Sequence, residues 1–463
     1  MSDPAPNDGA QQGSPAEPGG MAPRTAARLE LARAVGGALV SPLRYAAHLT
    51  VRGRMKRELD RDVAEASGVI DDLPEAALPT DRPLRIFLGA AEASGEIHAA
   101  GLVPRLRARA EASGAPPPEI TAIGGERLRA LGIPTIADPV ARAQVGFDGV
   151  LASLPYYVGL IEDAARHARE TRPDVFVPVD SPALHVPLAH VMRRYDVPTC
   201  HVVAPQYWGW APWRVRGYRK AVDLALTILP HEPSWYARYG VRTRHIGHPL
   251  LDALREVPVT TPDPSSKTLA VLPGSRHGVI RRNLEWMLGS LGPLRERVPD
   301  VDVAILQSTD EHVEQIEEIA ARCGQSVRIA IGDLHGELAG ARAAIAASGT
   351  IVTDLLHHRL PTVVIYRTTR RREDWLYRYV LMTPYFASTN LLAGREVLPE
   401  HSFLGEGPRD RIAGEIADAF TDEERRARYA ADLDFAAERL GPAGALDRAA
   451  AHALALAVRP AAR

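Results

Sequence analysis

Short apolar runs alternate with amphipathic segments in the first half of the chain, a pattern typical of a parallel sheet with helices on both faces. The first apolar run, at 84–88, is followed by a loop of small residues and by an apolar-periodic helix near 97–110. Later apolar runs predict further strands at 119–123, 175–179, 199–203 and 225–229. With the helical segments between most of them, they are predicted to form one Rossmann-like unit.

A cluster of Pro, Thr and Ser at 257–266 interrupts the alternation of apolar runs and amphipathic segments, which then begins again. A strand at 268–272, a glycine turn at 273–276 and a helix near 280–288 repeat the opening of the first unit. Four more apolar runs predict strands at 301–306, 327–331, 344–346 and 362–366. A helical segment at 409–457 ends the pattern. The predicted fold class is α/β, with two Rossmann-like doubly wound domains facing a cleft.

The N-terminal pattern is different. Residues 1–23 are rich in Pro, Gly, Ala and Ser without an apolar period, which predicts a disordered tail. From 24 to 58 a helical pattern carries eight Lys or Arg against two Glu, and Gly36, Gly37 and Pro42 limit it to two short helices. Its apolar side chains either face an anionic membrane or pack on the protein's own body. These side chains are Leu29, Leu31, Val35, Leu39, Leu43, Tyr45 and Leu49.

Composition narrows the class of protein. The 55 basic residues nearly balance the 57 acidic residues, so no overall field attracts nucleic acid and any anion site must be built locally. Only Cys200 and Cys323 are present, which excludes a disulfide framework and multi-thiolate zinc sites. No run reaches the ~18–20 apolar residues that a membrane-spanning helix needs. We therefore predict a cytoplasmic enzyme.

Three loops of small residues follow predicted strands, where main-chain N–H groups and a helix start can bind an anion. By itself the loop at 89–95 is weak evidence of an anion site, because tight turns that bind no ligand use the same residues. In the second half, the turn at 273–276 adds the guanidinium of Arg276, and the loop at 347–350 precedes a helix that bears Asp354. A carboxylate in that helix can accept hydrogen bonds from ribose hydroxyls. The two elements together predict a nucleoside diphosphate site in the C-terminal half.

Asp180 directly follows the strand at 175–179. Because ligands of α/β proteins bind at the carboxyl ends of parallel strands, Asp180 is either a general base or a cap for the next segment. The histidines near strand ends lack ligand spacing, so no metal site is predicted. Three D-x-D patterns follow no predicted strand and are interpreted as solvated charge; they lie at 60–62, 300–302 and 432–434.

An aromatic stretch at 205–214 holds three of the six Trp of the chain, with Arg214 at its end. Aromatic faces next to an arginine suit a sugar or lipid acceptor. Clusters of this kind also form ordinary core. Both interpretations remain open on the sequence alone.

Seven short blocks stand in order along the chain: GAAEASGE at 89–96, DVFVPVDSP at 174–182, APQYWGW at 204–210, IGHP at 246–249, LPGSR at 272–276, SGT at 348–350 and NLLAGRE at 390–396. In identity and order they resemble the lipid-A-disaccharide synthase family, from about residue 84 to about 400. The resemblance implies an inverting glycosyltransferase of the GT-B fold. Such an enzyme moves a diacylated glucosamine from UDP to a diacylglucosamine 1-phosphate and forms a β-1,6 disaccharide without a metal or other cofactor.

The resemblance also implies site residues. Asp180 is similar to the family's catalytic carboxylate, with Glu92 and Glu96 as local alternatives. The implied donor-site positions are Gly274, Ser275, Arg276, Ser348, Gly349, Thr350, Asp354, Asn390, Gly394, Arg395 and Glu396. The basic N-terminal extension lies outside the family pattern, and the chain departs from that pattern at three further places. Glu96 replaces an Asp, Asp354 replaces a Glu, and 401–403 replaces Leu-Leu-Gln.

The predicted organisation has six parts: a disordered tail at 1–23, a basic helical extension at 24–80, an acceptor domain at 81–256, a linker at 257–266, a UDP-sugar domain at 267–408 and C-terminal helices at 409–463. The expected partners are a UDP-sugar donor, a glycolipid acceptor and an anionic membrane surface at the inner face of the cytoplasmic membrane, and a homodimer is left open. Three alternatives remain: a related transferase with another acceptor, a UDP-N-acetylglucosamine epimerase, and a non-catalytic nucleotide-sugar-binding scaffold.

Overall fold

The computed structural model describes residues 21–142, 150–369, 371, 375 and 379–459. Within them the chain forms two parallel β-sheets, each covered by helices. The predicted tail at 1–23 lies outside the described residues except for its last three, and a helix already begins at Pro23. The two-unit α/β architecture predicted from the apolar runs is therefore confirmed.

The first sheet has seven parallel strands in the order β3-β2-β1-β4-β5-β6-β7. Their bounds are β1 Arg85–Ala90, β2 Glu119–Ile123, β3 Thr135–Ala137, β4 Val175–Val179, β5 Cys200–Val202, β6 Leu224–Thr227 and β7 Thr243–His245. The apolar strand β4 lies in the middle of the sheet, with all five residues buried. The three-residue edge strands β3 and β7 are absent from the sequence prediction, because strands this short, and mostly half-buried, give no apolar run.

The second sheet has six parallel strands in the order β10-β9-β8-β11-β12-β13. Their bounds are β8 Thr268–Leu272, β9 Asp302–Gln307, β10 Arg328–Ile331, β11 Ala343–Ala347, β12 Thr362–Thr368 and β13 Glu400–Leu404. Edge strand β13 was not predicted, since its sequence, EHSFL, is polar and mostly half-buried. Both sheets place the carboxyl ends of their strands at one edge, where ligands of this fold class bind.

The described helices are α1 Pro23–Leu39, α2 Ser41–Glu65, α3 Ala93–Ala112, α4 Glu126–Ala130, α5 Val150–Thr171, α6 Pro182–Arg193, α7 Tyr207–Trp210, α8 Val215–Ala221, α9 Glu232–Ala237, α10 Leu250–Ala253, α11 His277–Gly289, α12 Leu291–Arg295, α13 Val313–Arg322, α14 Leu334–Ala339, α15 Ile351–His357, α16 Ser388–Ala393, α17 Arg409–Thr421, α18 Glu423–Leu440 and α19 Ala445–Ala457. Short 3₁₀ turns occur at Val140–Arg142 and Pro212–Arg214. No described helix is both long and apolar enough to cross a membrane.

The basic N-terminal extension packs on the body along one side. Helix α1 buries Ala26 and Ala27 against α5 and α6, and α2 buries Leu59 and Val63 in the core of the first sheet. The predicted break at Gly36 and Gly37 was wrong, because α1 continues through both and the chain turns at Val40. Pro42 lies in the first turn of α2, where its missing N–H costs no helical hydrogen bond.

The C-terminal helices spread over both sheets. Helix α17 packs beside α12 and β11 of the second sheet, whereas α19 returns to the first sheet and packs on α3, β4 and β5. Between them, α18 packs on α16 and α15. The last segment of the chain therefore ties the two sheet units together.

Candidate active site

Asp180 stands at the carboxyl end of β4 in an unusual backbone conformation. Both Asp180 and Ser181 have left-handed φ angles, 53° and 46°. For residues with a Cβ this region costs about 1–2 kcal/mol each, so the surrounding structure must hold it. The main-chain N–H of Asp180 donates to the carbonyl of Val202 on β5 at 2.9 Å, and Pro182 begins α6 immediately afterwards. The predicted general base is thus the residue at which the chain leaves the sheet under strain.

Burial raises the pKa of the Asp180 carboxyl, and the nearby carboxylate of Glu92 raises it further. A hydrogen bond from the main-chain N–H of Ser181 acts in the opposite direction. Glu92 is exposed and directly precedes α3. A carboxyl whose pKa is moved toward neutral pH is a better proton acceptor than an ordinary aspartate.

Glu96, the second alternative, has a different environment. Its side chain is buried, and its carboxylate accepts a hydrogen bond from the main-chain N–H of Leu128 in α4 at 3.3 Å. A Cβ added at Gly125 would lie 3.0 Å from both carboxylate oxygens, so the loop before α4 closes tightly on Glu96. The structure places Glu96 in a contact that holds this loop.

The glycines of the first loop allow close packing around Asp180. A Cβ at Gly95 would lie 3.1 Å from the carbonyl oxygen of Val179, directly before Asp180. Gly89 belongs to β1, and a Cβ there would lie 3.0 Å from the ring of His185. These glycines make room for the strand end and for a histidine, contacts that the sequence motif alone does not predict.

The aromatic stretch at 205–214 divides into a core part and a surface part. The Trp208 indole is buried and donates to Glu232 at 3.1 Å. Burial raises the pKa of Glu232 to about 7, although three hydrogen bonds favour its ionised form. Trp210 is half-buried, with the guanidinium of Arg214 4.8 Å from its ring centroid. Trp208 is therefore part of the core, as one of the two interpretations predicted. Trp210 and Arg214 lie nearer the surface, and a role of theirs in binding the acceptor stays a prediction.

In the second sheet, the turn after β8 is held from two sides. Asn283 donates to the carbonyl of Pro273 and Gln307 donates to the carbonyl of Gly274, both at 3.1 Å. Gly274 has a φ of 115°, which an L side chain rarely adopts. Ser275 and Arg276 are exposed at the start of α11, and none of the described carboxylates is paired with the Arg276 guanidinium. The turn presents a cation beside a helix start.

The loop after β11 forms a second candidate element. The hydroxyl of Ser348 donates to the carbonyl of Phe386 at 3.0 Å, and Gly349 and Thr350 lead into α15. Within α15, burial raises the pKa of Asp354 to about 6. A carboxyl in this state can either accept or donate a hydrogen bond near pH 6.

The buried side chain of Asn390 forms hydrogen bonds with the main chain of the segment after α16. Its side-chain carbonyl accepts from the N–H groups of Val397 and Leu398 at 2.9 Å, and its amide donates to the Leu398 carbonyl and to Glu400. Burial raises the pKa of Glu400 to about 7, although this carboxylate also accepts from the main chain of 386–387. Ser348, Asn390 and Glu400 thus meet around one stretch of main chain.

The remaining predicted donor positions face other elements. Gly394 has a φ of 72° and lies so close to α2 that a Cβ would be 2.6 Å from the carbonyl oxygen of Val63. Arg395 pairs with Asp432 and lies over the ring of Phe435. Glu396 is exposed. The structure therefore brings part of the 390–396 block to Ser348 and directs Gly394 and Arg395 toward neighbouring helices.

Among the described residues, no group of three or more His, Cys, Asp or Glu side chains is arranged to hold a metal ion. In two of the three D-x-D patterns both carboxylates are paired with basic side chains: Asp60 with Lys56 and Asp62 with Arg238, and Asp432 with Arg395 and Asp434 with Arg359. In the third pattern, Asp300 pairs with Lys267. Glu232 and Glu400 are buried carboxyls that sequence reasoning missed, whereas His185 and His201 stand out in the sequence only as histidines near predicted strand ends.

A family model described as lipid-A-disaccharide synthetase matches residues 86–434. The chain belongs to this family. Among family members, the lipid-A-disaccharide synthase of Myxococcus xanthus is 33% identical over 383 residues, 81% of this chain and 98% of the relative. That of Solibacter usitatus is 34% identical over 328 residues, 68% of this chain and 82% of the relative.

The solved structures show which fold this synthetase-family chain has. S. aureus MnaA in a co-structure with UDP gives a TM-score of 0.51 at 15% identity, over 78% of this chain and 94% of that chain. A putative UDP-N-acetylglucosamine 2-epimerase from Listeria monocytogenes gives 0.52 at 14% identity, over 79% and 94%. At such identities the likeness concerns the fold alone, and it confirms the predicted GT-B arrangement. The helical extension lies before the part of the chain that matches the synthetase family.

Proposed function

We propose that this chain is an inverting glycosyltransferase that forms the lipid A disaccharide. It transfers a diacylated glucosamine unit from a UDP-sugar to a diacylglucosamine 1-phosphate and makes a β-1,6 bond. Family membership supports the reaction class, and relatives covered over most of their length are named lipid-A-disaccharide synthases. The observation that carries the proposal is the placement of Asp180 at the carboxyl end of a central strand, with a left-handed backbone and a carboxyl of raised pKa.

In the proposed step, Asp180 accepts the proton of the acceptor hydroxyl as that oxygen attacks the anomeric carbon. The new C–O bond forms on the face opposite UDP, the bond to the UDP oxygen breaks, and the configuration inverts once. The electron pair of the broken bond leaves with UDP. Burial and the carboxylate of Glu92 favour the protonated form of Asp180, which assists the transfer.

On the donor side, the exposed guanidinium of Arg276 and the start of α11 supply positive charge for the diphosphate. Negative charge develops on the leaving oxygen, and a preorganised cation stabilises it without reorganisation. In the proposed site, Asp354 of α15 accepts a hydrogen bond from a ribose hydroxyl. The proposed step uses no metal ion, as the family resemblance implies.

We also propose that the extension rests on an anionic membrane with its unpacked side. Leu39 and Leu43, at the corner between α1 and α2, are 75% and 73% exposed. Tyr45 lies beside Trp375, with ring centroids 6.4 Å apart, and donates to the carbonyl of Tyr379. Trp375 and Tyr379 are also exposed. Apolar corners with interfacial aromatic residues are typical of interfacial helices.

Basic side chains also cluster where α1 packs on α6. Four of them lie near His190 of α6, whose pKa falls to about 4 through burial and their charge: Arg33, Arg193, Arg194 and Lys220. Arg33 belongs to α1 itself, so the apolar corner and the basic group share an element. Arg33 and Arg194 already pair with Glu30, and Arg193 pairs with Asp223. A basic residue without such a partner contributes about 1 kcal/mol of attraction near an anionic surface. Location at the inner face of the cytoplasmic membrane and a homodimer both remain predictions.

The reaction is tested by incubating the purified chain with UDP-2,3-diacylglucosamine and 2,3-diacylglucosamine 1-phosphate. Mass spectrometry of the products is expected to show a tetraacyl disaccharide 1-phosphate and UDP, each dependent on both substrates. Proton NMR of the new anomeric centre is expected to show the β configuration. A chain that instead inverts C2 of soluble UDP-N-acetylglucosamine, and makes no disaccharide, would overturn the proposal.

A further inference from the structure

Two buried histidines donate to the same main-chain oxygen, that of Asp180. Nδ1 of His185 lies 2.6 Å from this oxygen and Nε2 of His201 lies 3.0 Å from it. The histidines come from different elements, α6 and β5, and neither is accessible to solvent. The carbonyl of the strained residue is therefore held from the following helix and from the neighbouring strand at once.

The chemistry of the contact fixes the state of both rings. A carbonyl oxygen only accepts hydrogen bonds, so the nitrogen that faces it must carry the proton. The other nitrogens, Nε2 of His185 and Nδ1 of His201, are buried without a hydrogen-bond partner among the described residues. Both rings are consequently neutral donors, and burial keeps them so by lowering their pKa values to about 4 and about 3.

The His185 ring is itself held in place. A Cβ at Gly89 of β1 would lie 3.0 Å from Nε2 and 3.3 Å from the ring of Phe176, so the glycine leaves room for His185. The main-chain N–H of His185 donates to the carbonyl of Ser181 at 3.1 Å. His185 thus forms hydrogen bonds with both Asp180 and Ser181, two consecutive residues with positive φ angles.

We propose that His185 and His201 are positioning residues that hold Asp180 in its left-handed conformation and so aim its carboxylate at the acceptor hydroxyl. Neither histidine exchanges a proton in the reaction, and each acts through the Asp180 carbonyl. The inference rests on the proposed role of Asp180 as general base. A displacement of about 1 Å in a reacting group can lower a rate about 100-fold, so the effect of losing a donor is measurable.

Two matched pairs of variants separate the hydrogen bond from the volume of the ring. For His185, Asn places an N–H donor near the position of Nδ1, whereas Leu has a similar shape without a donor. For His201, Gln replaces the Nε2 donor and Met does not. We expect His185→Leu and His201→Met to lower kcat about 10–100-fold with KM for the UDP-sugar nearly unchanged. His185→Asn and His201→Gln are expected to recover most of that loss.

His190 supplies the control, because it lies on the same helix as His185 and makes no hydrogen bond to Asp180 among the described contacts. His190→Leu is expected to keep the wild-type kcat. Equal rates for the donor-retaining and donor-removing members of both pairs would overturn the inference, since ring volume alone would then decide activity.

A double-variant cycle tests whether the histidines act through Asp180. In an Asp180→Asn background, His185→Leu is expected to cause little further loss, because the base is already absent. The same fold loss in both backgrounds would show an independent role and sink the proposal.

Crystal structures of His185→Leu and His201→Met give a readout that needs no activity. The φ angle of Asp180 is expected to leave the left-handed region in at least one variant, and an unchanged angle in both contradicts the inference. If the wild-type chain makes no disaccharide, the proposed function fails, while these structures still decide whether the histidines hold Asp180.

Discussion

The carboxylate of Asp252 accepts a 2.7 Å hydrogen bond from the main-chain N–H of Leu446. It also accepts from the N–H groups of Gly444 and Ala445, so one side chain satisfies three donors at the start of α19. Asp252 belongs to α10, which directly precedes the segment between the two sheets. This carboxylate therefore fixes the returning C-terminal helix to the end of the first unit.

Replacing Asp252 by Ala is expected to destabilise the fold by about 1–3 kcal/mol, because three helix-start donors lose their acceptor and a favourable charge. Urea unfolding followed by circular dichroism measures the change. Asp410→Ala, at the exposed start of α17, is the control and is expected to cost less than about 0.5 kcal/mol. Equal stabilities for the two variants would contradict the capping role.

Glu232 makes stability depend on pH. Its pKa is about 7 in the folded chain against an ordinary value of 4.5, so the folded state retains a proton that the unfolded state has lost between these pH values. The stabilisation is complete below pH 4.5 and is lost as the pH rises to about 7. The free energy of unfolding should fall by up to about 1.4 kcal/mol per pH unit in this window.

Glu232→Gln removes this titration. Its unfolding free energy, measured by urea titration from pH 4.5 to 8, is expected to decline less steeply than that of the wild type. The variant also loses one acceptor for the main-chain N–H groups of 228–229, so its absolute stability falls and only the slope is diagnostic. Parallel slopes for the two proteins would contradict the raised pKa.

Much of the two-sheet architecture could be predicted from the sequence, because central parallel strands are buried on both faces. The bounds of β4 and β8 agree with the predicted runs at 175–179 and 268–272. Edge strands carry less of this signal, and polar β13 carries almost none. Helix α1 continues through two glycines because it packs against α5, and local helix propensity does not reveal this tertiary contact.

The sequence predicted the place of Asp180 in the fold, but not the contacts around it. Asp180 follows from its place after β4, but its left-handed backbone is held by His185 and His201, which contact it through tertiary packing. Asn390 shows that a motif residue can have a structural contact that its sequence block does not reveal. The sequence block suggests a donor contact, while in the fold its side chain bonds to the main chain of 397–398 and to Glu400.

Arg276→Ala is expected to weaken UDP binding by about 1.5–3 kcal/mol, or roughly 10–150-fold in Kd, because a charge-assisted pair with the diphosphate is lost. Isothermal titration calorimetry with UDP measures the change. Arg281→Ala is the matched control, since Arg281 is also exposed on α11 but lies beyond its first turn. If both variants bind UDP as tightly as the wild type, the diphosphate site lies elsewhere.

Leu39→Gln together with Leu43→Gln is expected to lower binding to vesicles that contain phosphatidylglycerol, since each side chain loses apolar contact with the bilayer. Because α1 and α2 also bury core residues, these exposed substitutions test the membrane contact better than deletion of the extension. Sedimentation with vesicles measures the effect, and added salt should weaken wild-type binding through the basic residues.

Val259→Gln is the control for the vesicle experiment, because Val259 is an exposed apolar residue in the segment that connects the two sheets along the chain. It is expected to sediment like the wild type. If the Leu39 and Leu43 double variant also sediments like the wild type, the extension does not contact the membrane through these side chains. In that case the extension only braces the body.

Asp180→Asn is expected to lower kcat about 10²–10⁴-fold while the affinity for the UDP-sugar stays nearly constant, because the amide keeps the shape and an acceptor for the Ser181 N–H but cannot take a proton. Steady-state kinetics with product analysis by mass spectrometry measure both parameters. Glu92→Gln removes a neighbouring negative charge, so it should lower the pKa of Asp180 and shift the acid limb of the kcat profile to lower pH. Glu96→Gln should act mainly on stability, since its carboxylate holds the loop before α4. Near-normal turnover in Asp180→Asn, with a large loss in Glu92→Gln, would show that the general base is Glu92 rather than Asp180.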